Sequence, residues 1–491
     1  MDIYSLGYLG LVIVALILNE IIGKRTHGKQ WIIRCVVSLF FYILIAKFKV
    51  VFLLVSAFSI WIAGLSFDFK VNRRFIFWGV FALNIGLLVC VKYIFTSDSS
   101  IVAPLGISFY TLCAVSYLID VYNGKYLPER NFFKLFLFVS WFPQMIQGPI
   151  NRYDSIKEDL YSDHFVSWGE LKTSALLFLF GAIKKYAIAD ALMPSVNEIL
   201  GNDVSVLPGA YLLFGAVLFA IAQYADFSGG IDMVLAVSNV LGVKMADNFL
   251  QPYFSKSISE FWRRWHISLG AWMRDYIFYP FAISKPIAKF TKKNNKRFGK
   301  QISRSITGGI ANIIVFSLVG LWHGPQLHYL IWGLYNGLII AISDALVPLF
   351  TKMKGFARID DNSCGFKLFQ IIRTFILIVF AGYFDIVSDV KSGLICFRNT
   401  FSNFGLNKSC SLILALFSDE LLTTRLIMVV CVAIVLVLFT SILKEKNIKP
   451  YAWLESKALP IRWIVYYMFI FLLLFSFTAI SGIGGFMYAA F

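Results

Sequence analysis

The sequence predicts an all-α polytopic membrane protein, one integral membrane unit of roughly ten to twelve transmembrane helices plus re-entrant or interfacial helices. Three observations predict it. The 491 residues are 58% hydrophobic and only 15% charged, with mean hydropathy +0.73, whereas a soluble domain averages nearer half apolar and a quarter charged. Many windows reach the ~18–20 apolar residues needed to cross ~30 Å of hydrocarbon. The net charge of +17 is gathered in short loops, which is how cytoplasmic loops orient a membrane protein and not how a nucleic-acid surface is built.

Over residues 1–100, expected as N-terminal spans, apolar runs predict helices near 4–22, 31–46, 50–67 and 75–95. The first run has an acidic flank at Asp2 and no small-residue cleavage site, so it reads as a retained span and not a signal peptide. Basic turns at Lys24-Arg25 and Arg73-Arg74 fit an N-terminus on the outer side.

Residues 101–345 are expected as a central core. A span near 101–121 is followed by an apolar segment, 132–150, that holds Pro143, Gln144, Gln147, Gly148 and Pro149. Irregular backbone at membrane depth needs protein or a water-filled cavity around it, so this segment reads as re-entrant or broken. An acidic-polar stretch, Asn151–Glu170, carries His164. Leu171–Ile283 is least like a set of ordinary spans. Lys184-Lys185 interrupts one apolar run, and Asp226, Ser228, Gly229, Gly230 and Asp232 interrupt another. Ser255–Pro280 is dense in Trp, Arg and Tyr, as suits a helix at the membrane interface or facing a protein interior.

After Ile283 comes a basic loop with Lys285, Lys289, Lys292, Lys293, Lys296, Arg297, Lys300 and Arg304 and no acid among them. It reads as an orienting, anionic-lipid-facing loop and not a nucleic-acid patch. Spans near 306–323 and 328–350 follow. The C-terminal spans, in 346–491, are expected near 367–387, 425–443 and 463–488, with a basic cytoplasmic loop at 444–462 and a mixed stretch at 388–424. Seven scattered cysteines without a C-x-x-C pair support neither a disulfide framework nor a zinc site.

The chemistry centres on two histidines. His323 ends the apolar run Ile306–Trp322 and opens Trp322-His323-Gly324-Pro325. A titratable ring at membrane depth is costly and marks a functional site by default. Acyl transfer to a hydroxyl needs a base for the alcohol's proton and donors for the developing oxyanion. Histidine, with an unperturbed pKa near ~6.5, suits the first role. His266, in Glu260-Phe261-Trp262-Arg263-Arg264-Trp265-His266, fits orienting the acyl donor, donating to its carbonyl oxygen or supporting His323. The bland alternative is that both are packing histidines. His328, five positions past His323, reads as structural, and His27 and His164 as loop residues. Arg263 and Arg264 fit binding of a phosphate-bearing donor such as coenzyme A, or interfacial anchoring. Cys113, Ser108 and Ser228 lack an adjacent activating group, and no G-x-S-x-G elbow occurs, so a covalent route is the weaker one.

At these residues the chain resembles the membrane-bound O-acyltransferase family, in the branch of bacterial alginate O-acetylases and the teichoic-acid D-alanyl transfer protein. The matching segments run in order: Pro104–Tyr110, Ser116–Tyr122, Phe142-Pro143-Gln144 with Gly148-Pro149-Ile150, Asp226–Gly229 with Asp232-Met233, Asn248-Phe249 with Pro252-Tyr253, Ser257–Leu269 continuing to Trp272, Arg274-Asp275 and Tyr276, and Gly320–Gly324 with Trp332-Gly333. The resemblance implies a multi-helix fold around a central tunnel, with His323 as the catalytic histidine at its constriction and His266 as a second functional position. Gln144 and Asp226 match the family's motifs, which makes them, with Asn336, candidate substrate-binding residues or else structural polar residues lining the tunnel. Many relatives have a histidine where this chain has Asn336, which puts that position's role in doubt. It further implies no bound cofactor, acetyl-CoA or another acyl thioester as the donor, an extracytoplasmic cell-envelope glycan as acceptor, and a separate extracytoplasmic transferase or esterase-like partner. The expected setting is the bacterial cytoplasmic membrane, with lipids and no nucleic acid as neighbours.

Two other readings compete. A polysaccharide or lipid transporter has as many spans and polar breaks, and a non-catalytic scaffold would recruit an acetylating partner. D-Alanyl transfer to teichoic acid is the alternative within the family. If a helix begins at Ile306 on the cytoplasmic face, seventeen residues at ~1.5 Å carry His323 about 26 Å inward, to mid or outer depth.

Overall fold

The computed structural model describes residues 6–67, 72–94, 104–418 and 421–479. Of the expected spans, positions 4–5, 95, 101–103 and 480–488, together with Asp2, lie outside the described residues. Within them the regular structure is helical, and one isolated antiparallel bridge joins Phe249 to Trp265. Backbone in hydrocarbon must satisfy its own N–H and C=O groups, which is why long apolar runs fold as helices there.

The N-terminal part holds α1 (Leu6–Arg25), α2 (Gln30–Ala46), α3 (Val50–Ser66) and α4 (Arg73–Val89). Lys47, at φ 50° and ψ −127°, ends α2 and separates it from α3. Inside the bundle Ser56 of α3 donates to Asn84 Oδ1 of α4 at 2.5 Å, and Asn84 donates to Ser59 Oγ at 3.1 Å. Such bonds join spans where lipid supplies no hydrophobic drive for helices to associate.

The expected broken segment resolves into α6 (Phe132–Ser140) and α7 (Gln144–Gln147), after α5 (Ile107–Tyr122). Every residue from Leu135 to Ile150 is buried, so protein covers the irregular backbone, as the physics of hydrocarbon requires. Next come α8 (Tyr153–Tyr161), α9 (Trp168–Ile183), α10 (Ala191–Leu200) and the 32-residue α11 (Gly209–Val240), against which α9 and α10 pack.

The two charged interruptions of the middle region face each other. Lys185 pairs with Asp226 at 2.7 Å and Asp190 at 2.8 Å, and Lys184 with Asp232 at 2.6 Å. Glycines bring the backbones close enough for this: a Cβ at Gly181 would stand 2.5 Å from the Gly229 carbonyl oxygen. The lysines sit on a π-helical turn, Lys184–Asp190, a local widening that re-aims side chains.

The aromatic stretch is not one interfacial helix. It is α12 (Ile258–Arg264), α13 (Ile267–Met273), a π turn at Arg274–Phe278, and α14 (Tyr279–Ile283). α15 (Lys285–His323) then includes the basic loop, which is helical up to a break at Gly299 (φ 80°, ψ 163°). The chain doubles back there, since Thr291 and Thr307, sixteen residues apart, share a 2.7 Å hydrogen bond. Glycine supplies the positive φ that this reversal needs. Past it the helix begins at about Lys300, earlier than the expected Ile306.

α15 and α16 (Leu327–Ala345) pack backbone to backbone. A Cβ at Gly333 would lie 2.2 Å from the Phe316 carbonyl oxygen, and one at Gly320 2.4 Å from that of Tyr329. Small residues at a helix interface permit this approach and fix the pair's register. α17 (Val347–Phe356) is bent by 55° from α16. The C-terminal part is α18 (Cys364–Ile386), α19 (Val390–Ser402), α20 (Leu406–Ser418), α21 (Thr424–Glu445), α22 (Pro450–Glu455) and α23 (Leu459–Ala479).

Among the described residues eight helical stretches are long and apolar enough to cross a membrane, or nine if α16 and α17 count as one bent span. This is a multi-pass membrane protein. The number is below the ten to twelve expected because Gln30–Ser66 counts once despite its break, and α5 and α20 are apolar but only 16 and 13 residues long.

Candidate active site

His323 and His266 line one cavity of about 450 Å³ enclosed by α12, α13, α15 and α16. The α15 wall is Asn312, Val315, Phe316, Val319 and His323. Spacings of three and four residues, with Val315 and Phe316 side by side, put all five on one broad helix face, so the cavity follows α15 for about 16 Å. Trp332, Ile340 and Asp344 of α16 run the opposite way, with Trp332 beside His323 (ring centroids 5.1 Å apart) and Asp344 toward the far end. At that end Arg263 and Asp344 are close enough to interact electrostatically. Arg263, Gly270 and Arg274 are exposed wall residues, so the cavity opens to the surface there.

His323 is the last residue of α15 and 6% exposed. Trp322, Tyr329 and Trp332 surround it, with ring centroids at 5.3, 5.9 and 5.1 Å. His266 is 4% exposed and meets the edge of Phe227 at 4.8 Å. Trp322 also lies 6.1 Å from His266, so one indole contacts both imidazoles.

The backbone at His266 is left-handed (φ 45°, ψ 52°), a conformation rare for residues other than glycine. The surrounding chain holds it there. Leu250 N donates to Arg264 O at 2.9 Å, and Ile267 N to Asn248 O at 3.1 Å. Strain of this kind gathers at functional sites. Asn248 Oδ1 accepts from Ser268 N at 3.0 Å and Ser268 Oγ at 2.9 Å, and lies 3.2 Å from His266 Nδ1. An amide oxygen fixed as acceptor by a backbone N–H requires Nδ1 to carry the proton. In the neutral ring the accepting nitrogen is then Nε2.

Of the other residues expected at the site, Arg263 lines the cavity and four do not. Arg264 pairs with Glu260 at 2.7 Å and with Glu445 of α21. Gln144 donates to Phe138 O at 2.7 Å and accepts from Asn151 at 3.0 Å, closing the broken segment. Asp226 belongs to the Lys185 pair. Asn336 accepts from Trp262 Nε1 at 3.2 Å and donates to Trp332 O at 2.9 Å, so it braces two wall tryptophans from behind. The family resemblance drew attention to Gln144, Asp226 and Asn336, and its cationic charge to Arg264. The first three are buried, Arg264 is half-buried, and each is satisfied by its neighbours. His328 is buried with Nδ1 2.9 Å from Phe384 O, which agrees with its structural reading. Sequence reasoning passed over Asn312 and Asp344, and gave no site role to Arg274 or the Asn248–Ser268 pair although they lie in the matching segments. The helical spacing from Asn312 to His323 was the available signal for the first.

The sequence model of the membrane-bound O-acyltransferase family matches residues 127–295, which contain His266 but not His323. Similar proteins include probable alginate O-acetylases of Pseudomonas putida (33% identical over 279 residues, 57% of this chain and 51% of the relative) and Pseudomonas aeruginosa (35% over 247 residues, 50% and 44%). The teichoic acid D-alanyltransferase of Bacillus subtilis is 28% identical over 311 residues, 58% of this chain and 73% of the relative. The chain thus spans about half the length of the alginate relatives it matches. With its many apolar helices, the chain is similar over these residues to the membrane-bound O-acyltransferase family.

Proposed function

We propose that the protein is an O-acyltransferase of the bacterial cytoplasmic membrane, moving an acetyl group from a cytoplasmic thioester donor to hydroxyls of an extracytoplasmic envelope polysaccharide. The observation that carries this reading is the pair of buried histidines on one elongated cavity. The donor, acetyl-CoA or another acyl thioester, enters by the end bearing Arg263 and Arg274, whose cations suit its anionic part. That end lies toward the basic helix of α15, the side that positive-inside topology places in the cytoplasm.

His323 acts as general base. It takes the proton of the acceptor hydroxyl as the oxygen bonds to the thioester carbonyl carbon. The tetrahedral oxyanion collapses, the carbon–sulfur bond breaks, and the thiolate leaves and takes up the proton. His266, with Nδ1–H committed to Asn248, presents an accepting Nε2, which suits support of proton transfer better than donation to the oxyanion. Transfer runs either directly to the glycan or through a hydroxyl of an extracytoplasmic partner protein.

D-Alanyl transfer is the second reading, favoured by the longer share of the D-alanyltransferase that this chain matches. Ester-linked groups released by mild base from the envelope of a deletion strain, with and without the wild-type gene, separate the two. Gene-dependent acetate supports acetyl transfer. Gene-dependent D-alanine overturns it in favour of the second reading, and no gene-dependent ester overturns both.

A further inference from the structure

We propose that Lys92 is a positioning residue for His323, holding the buried end of the helix that presents it. The proposal rests on the base role given to His323. An α-helix leaves its last four carbonyls without partners inside the helix. The last two residues of α15 are buried, with Trp322 7% and His323 6% exposed between an exposed Leu321 and an exposed Pro325, and the chain leaves the helix through an extended Gly324 (φ 176°). Those carbonyls therefore need donors from another element.

α4 supplies them. It runs into a π turn, Cys90–Ile94, which puts two successive side chains on the end of α15. Lys92 Nζ donates to the Trp322 carbonyl oxygen, and Tyr93 Oη donates to the carbonyl oxygens of Leu321 and Gly324. A cation at a helix C-terminus also complements the helix dipole. The same ammonium stands 5.0 Å above the Trp322 ring, the indole that touches both histidines. Lys92 is 7% exposed and is not on the cavity wall, so it acts through Trp322 and His323 and not on substrate. Displacing a reacting group by about 1 Å costs on the order of 10²-fold in rate, so a clamp one residue from the base has large leverage.

The test uses the purified full chain in lipid nanodiscs with diethyl pyrocarbonate as probe, following modification of each histidine by mass spectrometry. In the wild type His323 and His266 react slowly. Lys92→Met is expected to speed modification of His323 by roughly five-fold or more through local opening and to leave His266 at its wild-type rate. Lys92→Arg, which keeps the cation, restores slow modification. In the complemented deletion strain, Lys92→Met lowers ester content about 10²-fold at unchanged membrane abundance, and Lys92→Arg recovers most of it. An unchanged His323 rate in Lys92→Met overturns the proposal. So does an equal rise at His266, which would mean general loosening. The modification rates do not depend on catalysis, so failure of the base role, seen as activity in His323→Ala, is separable from failure of the clamp.

Discussion

Cells carrying His323→Ala in place of the wild-type protein should have an envelope ester content indistinguishable from that of the deletion strain. General-base catalysis contributes roughly 10²–10⁴-fold, so even the low end takes ester formation close to background. The substitution is gentle on the fold. His323 closes α15, the glycine contacts at 320, 333 and 337 that set the α15–α16 register lie elsewhere, and alanine is a strong helix former. Membrane abundance should therefore stay near wild type, and immunoblotting of membranes checks it beside base-released acetate. A transporter or a scaffold predicts a different outcome, because neither needs a proton acceptor at position 323. Retained esterification at normal abundance would move those readings to the front.

Lys185→Ala should fail for another reason, loss of the folded protein. Lys185 is 1% exposed and sits between Asp226 and Asp190, at 2.7 and 2.8 Å. Removing one partner of a buried ion pair costs about 3–5 kcal/mol, because the remaining charge stays buried without its counter-ion. Here two carboxylates lose the same cation, so membrane abundance should drop steeply. Lys185→Ala combined with Asp226→Asn removes one of those charges and should recover part of the abundance. Wild-type levels of the single variant would contradict the pairing. This result also bears on Asp226, whose loss should act through stability and not through substrate contact.

The places where sequence reading succeeded and stopped have physical causes. Long apolar runs made most spans legible, and Pro143, Gly148 and Pro149 marked the broken segment correctly because hydrocarbon tolerates few other arrangements. Lys184-Lys185 and Asp226 through Asp232 were each visible as interruptions, but their pairing depends on α9 and α11 meeting at Gly181 and Gly229, a contact 48 residues apart in sequence that periodicity cannot report. The basic loop was read as a loop for its charge, yet eight cations are compatible with an exposed helix, and only Gly299 hinted at the reversal. Stretch 388–424 has mixed polarity, and its α19 and α20 are too short for a strong periodic signal. At the site, both histidines were legible from the cost of burying a polar ring. Gln144, Asp226 and Asn336 were chosen from the family resemblance and Arg264 for its charge, neither of which distinguishes a cavity-facing polar group from one satisfied inside the fold. Lys92 lay unremarked in its apolar run because its partner is a backbone carbonyl 230 residues away.

If acyl transfer takes place in the cavity shared by His266 and His323, blocking that cavity without touching either histidine abolishes it. Gly270 lines the cavity on α13, and a Cβ there would meet its nearest neighbour, the Trp262 carbonyl oxygen, at an ordinary 3.5 Å. Gly270→Trp adds an indole to the cavity wall while Gly270→Ala leaves the cavity open. Base-labile acetate on the envelope polysaccharide should be lost in the tryptophan variant and kept in the alanine variant, both at normal membrane abundance. Full acetylation with the indole in place would contradict transfer in that cavity, whatever the histidine variants show.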